Sequence, residues 1–543
     1  MTVHDLVIRG ATVHDGTGRP GRRTDVAVAA GRIAAVGADA NRDGALRTID
    51  ADGLVLAPGF IDLHSHADFT LPSYPGALNS LVQGVTSEVV GNCGYSPAPL
   101  SPDPDKAAAH RTNTHGLGPD LDWSWRTFGD YLERLDAAHP AVNALPLVGF
   151  GAVRTAVVGP DDRPATASER ALMAAEVEVA LAAGAWGFST GLVYPPGSFA
   201  PLDEIIEVAR PLAAADTLYA SHIRSEAAGL LDAIDEAIAV GEALGVRVQV
   251  SHLKALGRRN HGRTTDAIAR ISAARDRGVR VTADAYPYTA GATFLSQVLP
   301  PWVHAGGTEE LVARIRTADV RQRIAREIET GLPGWSNYVD AAGGWSGIRI
   351  AAAVDPGNRN LEGGLVDELA ARLGEDPLHL VLDALIRDRG ATLMIAAFMH
   401  PDDVDAVFRS PFTAVGSDQL GVLSPSTRVH PRAYGTFARL MGPWVRDRGV
   451  LDLATAIHKA TGMAAAILGL TDRGTIATGM TADLVLFDPA TLTDRSTDER
   501  PTELATGVQA VLLGGAFAVD DNRAVDARLG RVVRHQPPRM SAG

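Results

Sequence analysis

Cysteine is almost absent from this sequence: the 543 residues contain one, Cys93. A lone thiol excludes an internal disulfide, which leaves a small buried hydrophobe, a nucleophile or a metal ligand. Lysine is nearly as scarce, occurring only at Lys106, Lys254 and Lys459. Positive charge is outweighed overall, with a formal net charge of −14. That balance opposes sequence-independent binding to nucleic acid or to anionic membranes. No apolar run approaches the roughly 18–20 residues that span a bilayer. The opening stretch MTVHDLVIRGATVHDGTGRPGRR has no apolar segment after a basic one, so no signal peptide is expected. The sequence therefore predicts a cytoplasmic protein with neither nucleic acid nor membrane as partner.

What is present is a large apolar content, 46% of residues, enough for a substantial core and more than one domain. The first 58 residues alternate apolar positions with Gly and Asp, as in DLVIRGATVHD and TDVAVAAGRIAAVG, the signature of a small β layer. From 59 to 289, short apolar runs (NALPLVGF, AWGFSTGL, TLYASHI, RVQVSHL, VRVTADAY) alternate with helical stretches such as ASERALMAAEVEVALAAG. Repeated strand–helix units of this length predict an α/β body with a parallel sheet, open or closed into a barrel. Between 290 and 348 the rhythm lapses, with Trp302, Trp335 and Trp345 among many glycines, which predicts an inserted lid. Packing of the insertion is the expected role of these tryptophans. The strand–helix pattern is expected to return over 349–470 at GIRIAAAV, ATLMIAAF and FTAVGSD. Strands resume over 471–535, so a β sub-domain assembled from both chain ends is expected, with 536–543 a loose tail.

Chemistry concentrates at the ends of the apolar runs. In GFIDLHSHADF, His64 and His66 are two apart and share a face of an extended segment, a ready metal half-site. Cys93 ends SEVVGNC, His222 ends TLYASH, His252 ends RVQVSH and Asp418 ends FTAVGSD. The C-terminal ends of parallel strands are where α/β barrels assemble their sites. Five such sites in register argue for a metal centre rather than for packing, and a soft anionic thiolate suits zinc.

The series HxH, GNCG, SHIRSE, SHLKALG, DAYPYTAG, GSDQ and HPRAYGTF resembles the N-acyl-D-amino-acid deacylases (D-aminoacylases) of the amidohydrolase superfamily, over nearly the whole chain. The resemblance implies a distorted (β/α)8 TIM-like metal-dependent hydrolase barrel, a small β-sandwich built from both termini and an inserted lid. It implies a tightly bound Zn2+ on Cys93, His222 and His252. A second, weaker metal position would use His64 and His66, with Cys93 shared as a bridge in place of the carbamylated lysine of many superfamily members. Asp418 is then the general base and a further metal-site ligand. Lys254, Tyr286 and Arg432 are expected to bind the carboxylate of an N-acyl amino acid, the small-molecule substrate, although Arg432 in a structural ion pair is the simpler alternative. Arg224 is expected to pair with Glu226. Ala292 stands where family members often carry Ser, leaving Thr289 or Thr293 as substitute hydroxyls, and the Asp418–Arg432 spacing is wider than the family's.

The activity implied is hydrolysis of N-acyl-D-amino acids. A cyclic-amide hydrolase of the dihydroorotase or hydantoinase type shares the barrel and HxH, but Cys93 and HPRxxGTF oppose it. A non-catalytic scaffold is expected to have lost ligands, whereas all six positions are kept.

Overall fold

The computed structural model describes residues 3–41, 44–420, 428–525 and 528–536. Its centre is a closed ring of eight short parallel strands. In chain order these are Phe60–Asp62, Val85–Val90, a third strand in two pieces (Asn143–Pro146 and Val148–Gly149), Gly187–Gly191, Leu218–His222, Arg247–Val250, Val281–Ala285 and Thr413–Val415. Neighbours pair in parallel register around the ring. Closure comes from the Leu63 N–H donating to the Val415 carbonyl at 3.2 Å and the Asp418 N–H donating to the His64 carbonyl at 2.7 Å.

These strands are buried on both faces, which is why they read as apolar or small-residue runs without alternation; every residue of Val85–Val90 is buried. The helices between them carry their own start and stop signals. Ala167–Ala183 opens with a reciprocal Thr166–Glu169 capping box and ends at Gly184, whose φ of 110° only glycine adopts readily. It buries Met173, Val177, Ala180 and Leu181, one stripe at helical spacing.

Both chain ends build one nine-stranded sheet beside the ring. Val55–Pro58 pairs antiparallel with Leu484–Phe487, and Gly59 alone separates that pairing from the first ring strand. Leu6, Ile8, Val26 and Val28 share a core with Leu484 and Leu512, so this layer buries its apolar face only when the two termini meet.

The insertion differs from expectation. Ile348–Ala352 and Leu393–Ala397, read from sequence as returning barrel strands, lie instead in a separate antiparallel sheet in which Leu393–Ala397 pairs with Ile348–Ala352 on one side and Ala290–Phe294 on the other. The helices Thr308–Arg314, Val366–Leu373 and Pro377–Arg387 pack with that sheet around a second core that includes Leu311, Ile348, Val381 and Met394. A short apolar run has the same pattern whichever sheet it joins, so periodicity could not assign these strands. The ring resumes only at Thr413–Val415. Trp302 packs on the insertion's core, with Arg323 stacked 3.8 Å from its ring centroid and its N–H donated to Glu327 at 2.6 Å. Trp345 also packs against that core. Residues 537–543 of the expected tail lie outside the described residues. Among the described residues, no helix is long and apolar enough to cross a membrane.

Candidate active site

The donors expected from the sequence all lie at the C-terminal rim of the ring. His222 is the last residue of the fifth strand, and His64, His252, Cys93 and Asp418 follow their strands by two or three residues. Cys93 (φ 53°), His252 (φ 36°) and Asp418 (φ 51°) all have left-handed backbone, an uncommon conformation for residues other than glycine and one that clusters at functional sites. The glycines of GNCG make the turn possible. A Cβ on Gly91 would lie 2.0 Å from the Leu147 carbonyl, and one on Gly94 would lie 2.7 Å from the Gly191 nitrogen. The chain therefore presses against its neighbours and projects Cys93 into the ring's mouth.

Two donor groups result. The ligand atoms of His64, His66, Cys93 and Asp418 lie within 4.8 Å of one another, as do those of Cys93, His222 and His252. Cys93 belongs to both, its Sγ 3.2 Å from His64 Nε2 and 3.4 Å from His252 Nε2. His66 Nε2 is 3.4 Å and His64 Nε2 3.5 Å from Asp418 Oδ1. All six are buried. Neither ring nitrogen of His222 has a hydrogen-bond partner, and a buried imidazole is not normally left so. That orphaned ring, beside a thiol and further imidazoles, fits a divalent cation of zinc's preference. The three lysines have other partners: Lys106 and Lys459 donate to backbone carbonyls, and Lys254 donates to Glu226 beside the His252 ring.

Two carboxylates to which the sequence reading assigned no part in the site support these donors. Asp284, at the end of the seventh strand, lies 3.2 Å from His64 Nδ1 and accepts the His252 N–H at 2.8 Å and Gln249 Nε2 at 3.0 Å. Burial opposes its charge, but the His64 ring outweighs that and holds it below the usual carboxylate range. Its place at a strand end in VTADAY was a legible signal. Glu226 lies 2.5 Å from Lys254 Nζ and 3.0 Å from His252 Nδ1. Burial acts against the Lys254 charge, yet Glu226 raises it above the ordinary lysine range. The expected Arg224–Glu226 pair is therefore corrected. Arg224 turns outward to Glu236 at 2.8 Å, while Glu226 turns inward. Glu236 is carried by the helix Leu230–Leu244, a partner that only the fold brings near.

Asp418 is held well below the usual carboxylate range: burial opposes ionisation, but the Arg432 guanidinium and His64 outweigh it. Arg432 Nη1 is 2.9 Å from Asp418 Oδ2, and the guanidinium sits 4.6 Å from the Tyr286 ring centroid. It thus pairs with Asp418, while its buried Nε has no hydrogen-bond partner. The cavity over the donors is walled by Lys254, Tyr286 and a majority of apolar and aromatic residues. The buried Tyr286 hydroxyl has no partner. Ala292 and Thr293 reach the wall, with the Thr293 hydroxyl 2.9 Å from that of Tyr194, whereas Thr289 is exposed. Trp302, Trp335 and Trp345 are not on it. The extra residues between Asp418 and Arg432 include 421–427, outside the described residues.

Comparison with known proteins matches residues 47–519 to the Amidohydrolase family. The chain is 40% identical over 537 residues to N-acyl-D-aspartate deacylase of Alcaligenes xylosoxydans xylosoxydans, covering 97% of this chain and 95% of that protein. A solved D-aminoacylase, studied for the role of its binuclear metal centre, superposes with a TM-score of 0.82 at 37% identity, covering 98% of this chain and all of that one. The N-acyl-D-glutamate deacylase of Bordetella bronchiseptica, complexed with zinc and a phosphonate inhibitor that mimics the tetrahedral intermediate, also superposes at 0.82, with 34% identity, 98% of this chain and all of that one.

Proposed function

The chain belongs to the amidohydrolase family, and from that premise we propose that it hydrolyses the amide bond of N-acyl-D-amino acids to a carboxylate and a free D-amino acid. The observation that carries this reading is the pair of buried donor groups sharing Cys93 beneath a cavity that presents Lys254 and an unpartnered tyrosine hydroxyl. Cys93, His222 and His252 would hold a tightly bound zinc, and His64, His66 and Asp418 a weaker second metal with Cys93 shared. Bound there, zinc supplies Lewis acidity that acidifies water and polarises an amide carbonyl.

The chain's own residues do the rest. Asp418, kept ionised by Arg432, takes a proton from the attacking water and passes it to the departing nitrogen. Lys254 and the Tyr286 hydroxyl bind the amino acid's carboxylate, and Arg432 adds positive potential at that end. Glu226 keeps Lys254 charged, and Asp284 orients His64. The D configuration rests on the relatives, which are deacylases of D-amino acids.

The test is chiral. Zinc-loaded protein is offered N-acetyl-D- and N-acetyl-L-amino acids, and the freed amino acid is assayed, with Cys93→Ala and Asp418→Ala alongside. Release from D substrates alone, lost in both variants, is expected. Opening of a hydantoin ring to the N-carbamoyl amino acid, with no amino acid freed from any N-acetyl substrate, would replace this reading with the cyclic-amide one.

A further inference from the structure

Two apolar groups of residues wall the cavity. One is Tyr95, Tyr194 and Phe294, with ring centroids 5.2 Å (Tyr95–Tyr194) and 5.9 Å (Tyr95–Phe294) apart. This wall stands against the metal donors: Tyr194 lies 4.9 Å from the His222 ring and Tyr95 6.4 Å from that of His66. The other wall is Leu256, Tyr338 and Phe398, with Tyr338 edge-on to Phe398 at 5.2 Å. It belongs to the insertion's core and adjoins the carboxylate-binding end. A Cβ built on Gly291 would meet the Tyr286 hydroxyl at 3.3 Å and the Phe398 ring at 3.5 Å.

An N-acyl-amino acid has a fixed connectivity that can be laid on this floor. Its carboxylate and its side chain leave the same carbon, so with the carboxylate at Lys254 and Tyr286 the side chain meets Leu256, Tyr338 and Phe398. The acyl group leaves the scissile carbonyl and meets the Tyr95 wall. Lys254 is the one lysine or arginine among the described residues lining the cavity, and Glu226 already engages it. Arg432 is engaged by Asp418. The stretch 421–427, GVLSPST, outside the described residues, contains no lysine or arginine. A second substrate carboxylate would therefore be buried without a cation, which is strongly disfavoured.

Resting on the deacylase reading, we infer that Leu256, Tyr338 and Phe398 select N-acyl-D-amino acids with uncharged, apolar side chains. This chain would then differ from the D-aspartate and D-glutamate deacylases to which it is similar.

The test compares kcat/KM of the zinc-loaded full chain for N-acetyl-D-leucine, -D-methionine and -D-phenylalanine with that for N-acetyl-D-aspartate and -D-glutamate. The best apolar substrate is expected to lead both acidic ones by at least ~100-fold, the scale on which desolvated charges and pocket contacts discriminate. A smaller margin, or the reverse order, overturns the inference while leaving the deacylase reading intact. Release from no D substrate overturns both. Phe398→Arg is expected to move the D-glutamate to D-phenylalanine ratio at least tenfold towards the acid. Should that variant not fold, Phe398→Ala serves. It should lower kcat/KM for N-acetyl-D-phenylalanine at least tenfold more than for N-acetyl-D-alanine, and an equal loss on both would remove Phe398 from the side-chain wall.

Discussion

Cys93 lies within 3.4 Å of two imidazoles from different strands, a convergence that its left-handed backbone makes possible. Such a conformation costs on the order of 1–3 kcal/mol and persists only where its surroundings fix it. If Cys93 joins two metal positions, Cys93→Ala should lose zinc as well as turnover, read by elemental analysis after dialysis. Asp418→Asn keeps the shape and removes the base, and kcat should fall by ~10²–10⁴. Zinc retained in that variant would separate proton transfer from ligation. Asp284→Asn leaves every donor in place but loosens His64. A loss of ~10–100-fold in metal affinity or kcat/KM is expected, and unchanged values would reduce Asp284 to a packing residue. Asp284 lies near the C-terminal end of a ring strand, so its place beside the donors was legible in VTADAY. The turn of Glu226 toward Lys254 was not, because nothing in HIRSE says which of two neighbouring charges faces inward.

Among the elements, the helix Pro104–Thr114 carries a buried histidine that has no part in the site. His110 donates from Nε2 to the Ser96 carbonyl at 3.1 Å, and burial pushes its pKa down to about 4. The unfolded chain protonates this ring near 6.5, so between about 6.5 and 4 the unfolded state binds more protons. The stability it contributes is fully present above that window and falls as pH drops through it, by about 3 kcal/mol at most. Urea denaturation of wild type and His110→Asn from pH 7.5 to 4.5 should give a shallower pH slope for the variant, and parallel slopes would count against the assignment. The strands teach a related lesson about legibility. FTAVGSD and ATLMIAAF are both short apolar runs, yet one closes the ring and the other pairs antiparallel in the insertion. Their local composition specifies a buried strand, and only the long-range partner specifies the sheet.

For the whole molecule, the terminal sheet ties the two chain ends to the ring. Truncation before Leu484 would strip Val55–Pro58 of its antiparallel partner and expose the core shared by Leu6, Ile8 and Val28. Such a chain should be insoluble or melt at a clearly lower temperature, and an unchanged melt would show the sheet to be dispensable. Removing metal with a chelator should lower the melting temperature as well, because a ligand bound only by the folded state stabilises it by mass action. Added zinc should restore both the melt and the activity. The sequence by itself determined the α/β class, the β layers at both ends and the rim donors, because strand period, turn residues and donor spacing are local and survive in one dimension. Tertiary structure alone decided that the insertion has its own sheet, that Arg432 braces Asp418, that Glu226 serves Lys254 and that two apolar groups wall the cavity. Each of those depends on contacts between residues far apart in the chain, and no local pattern carries the identity of a distant partner.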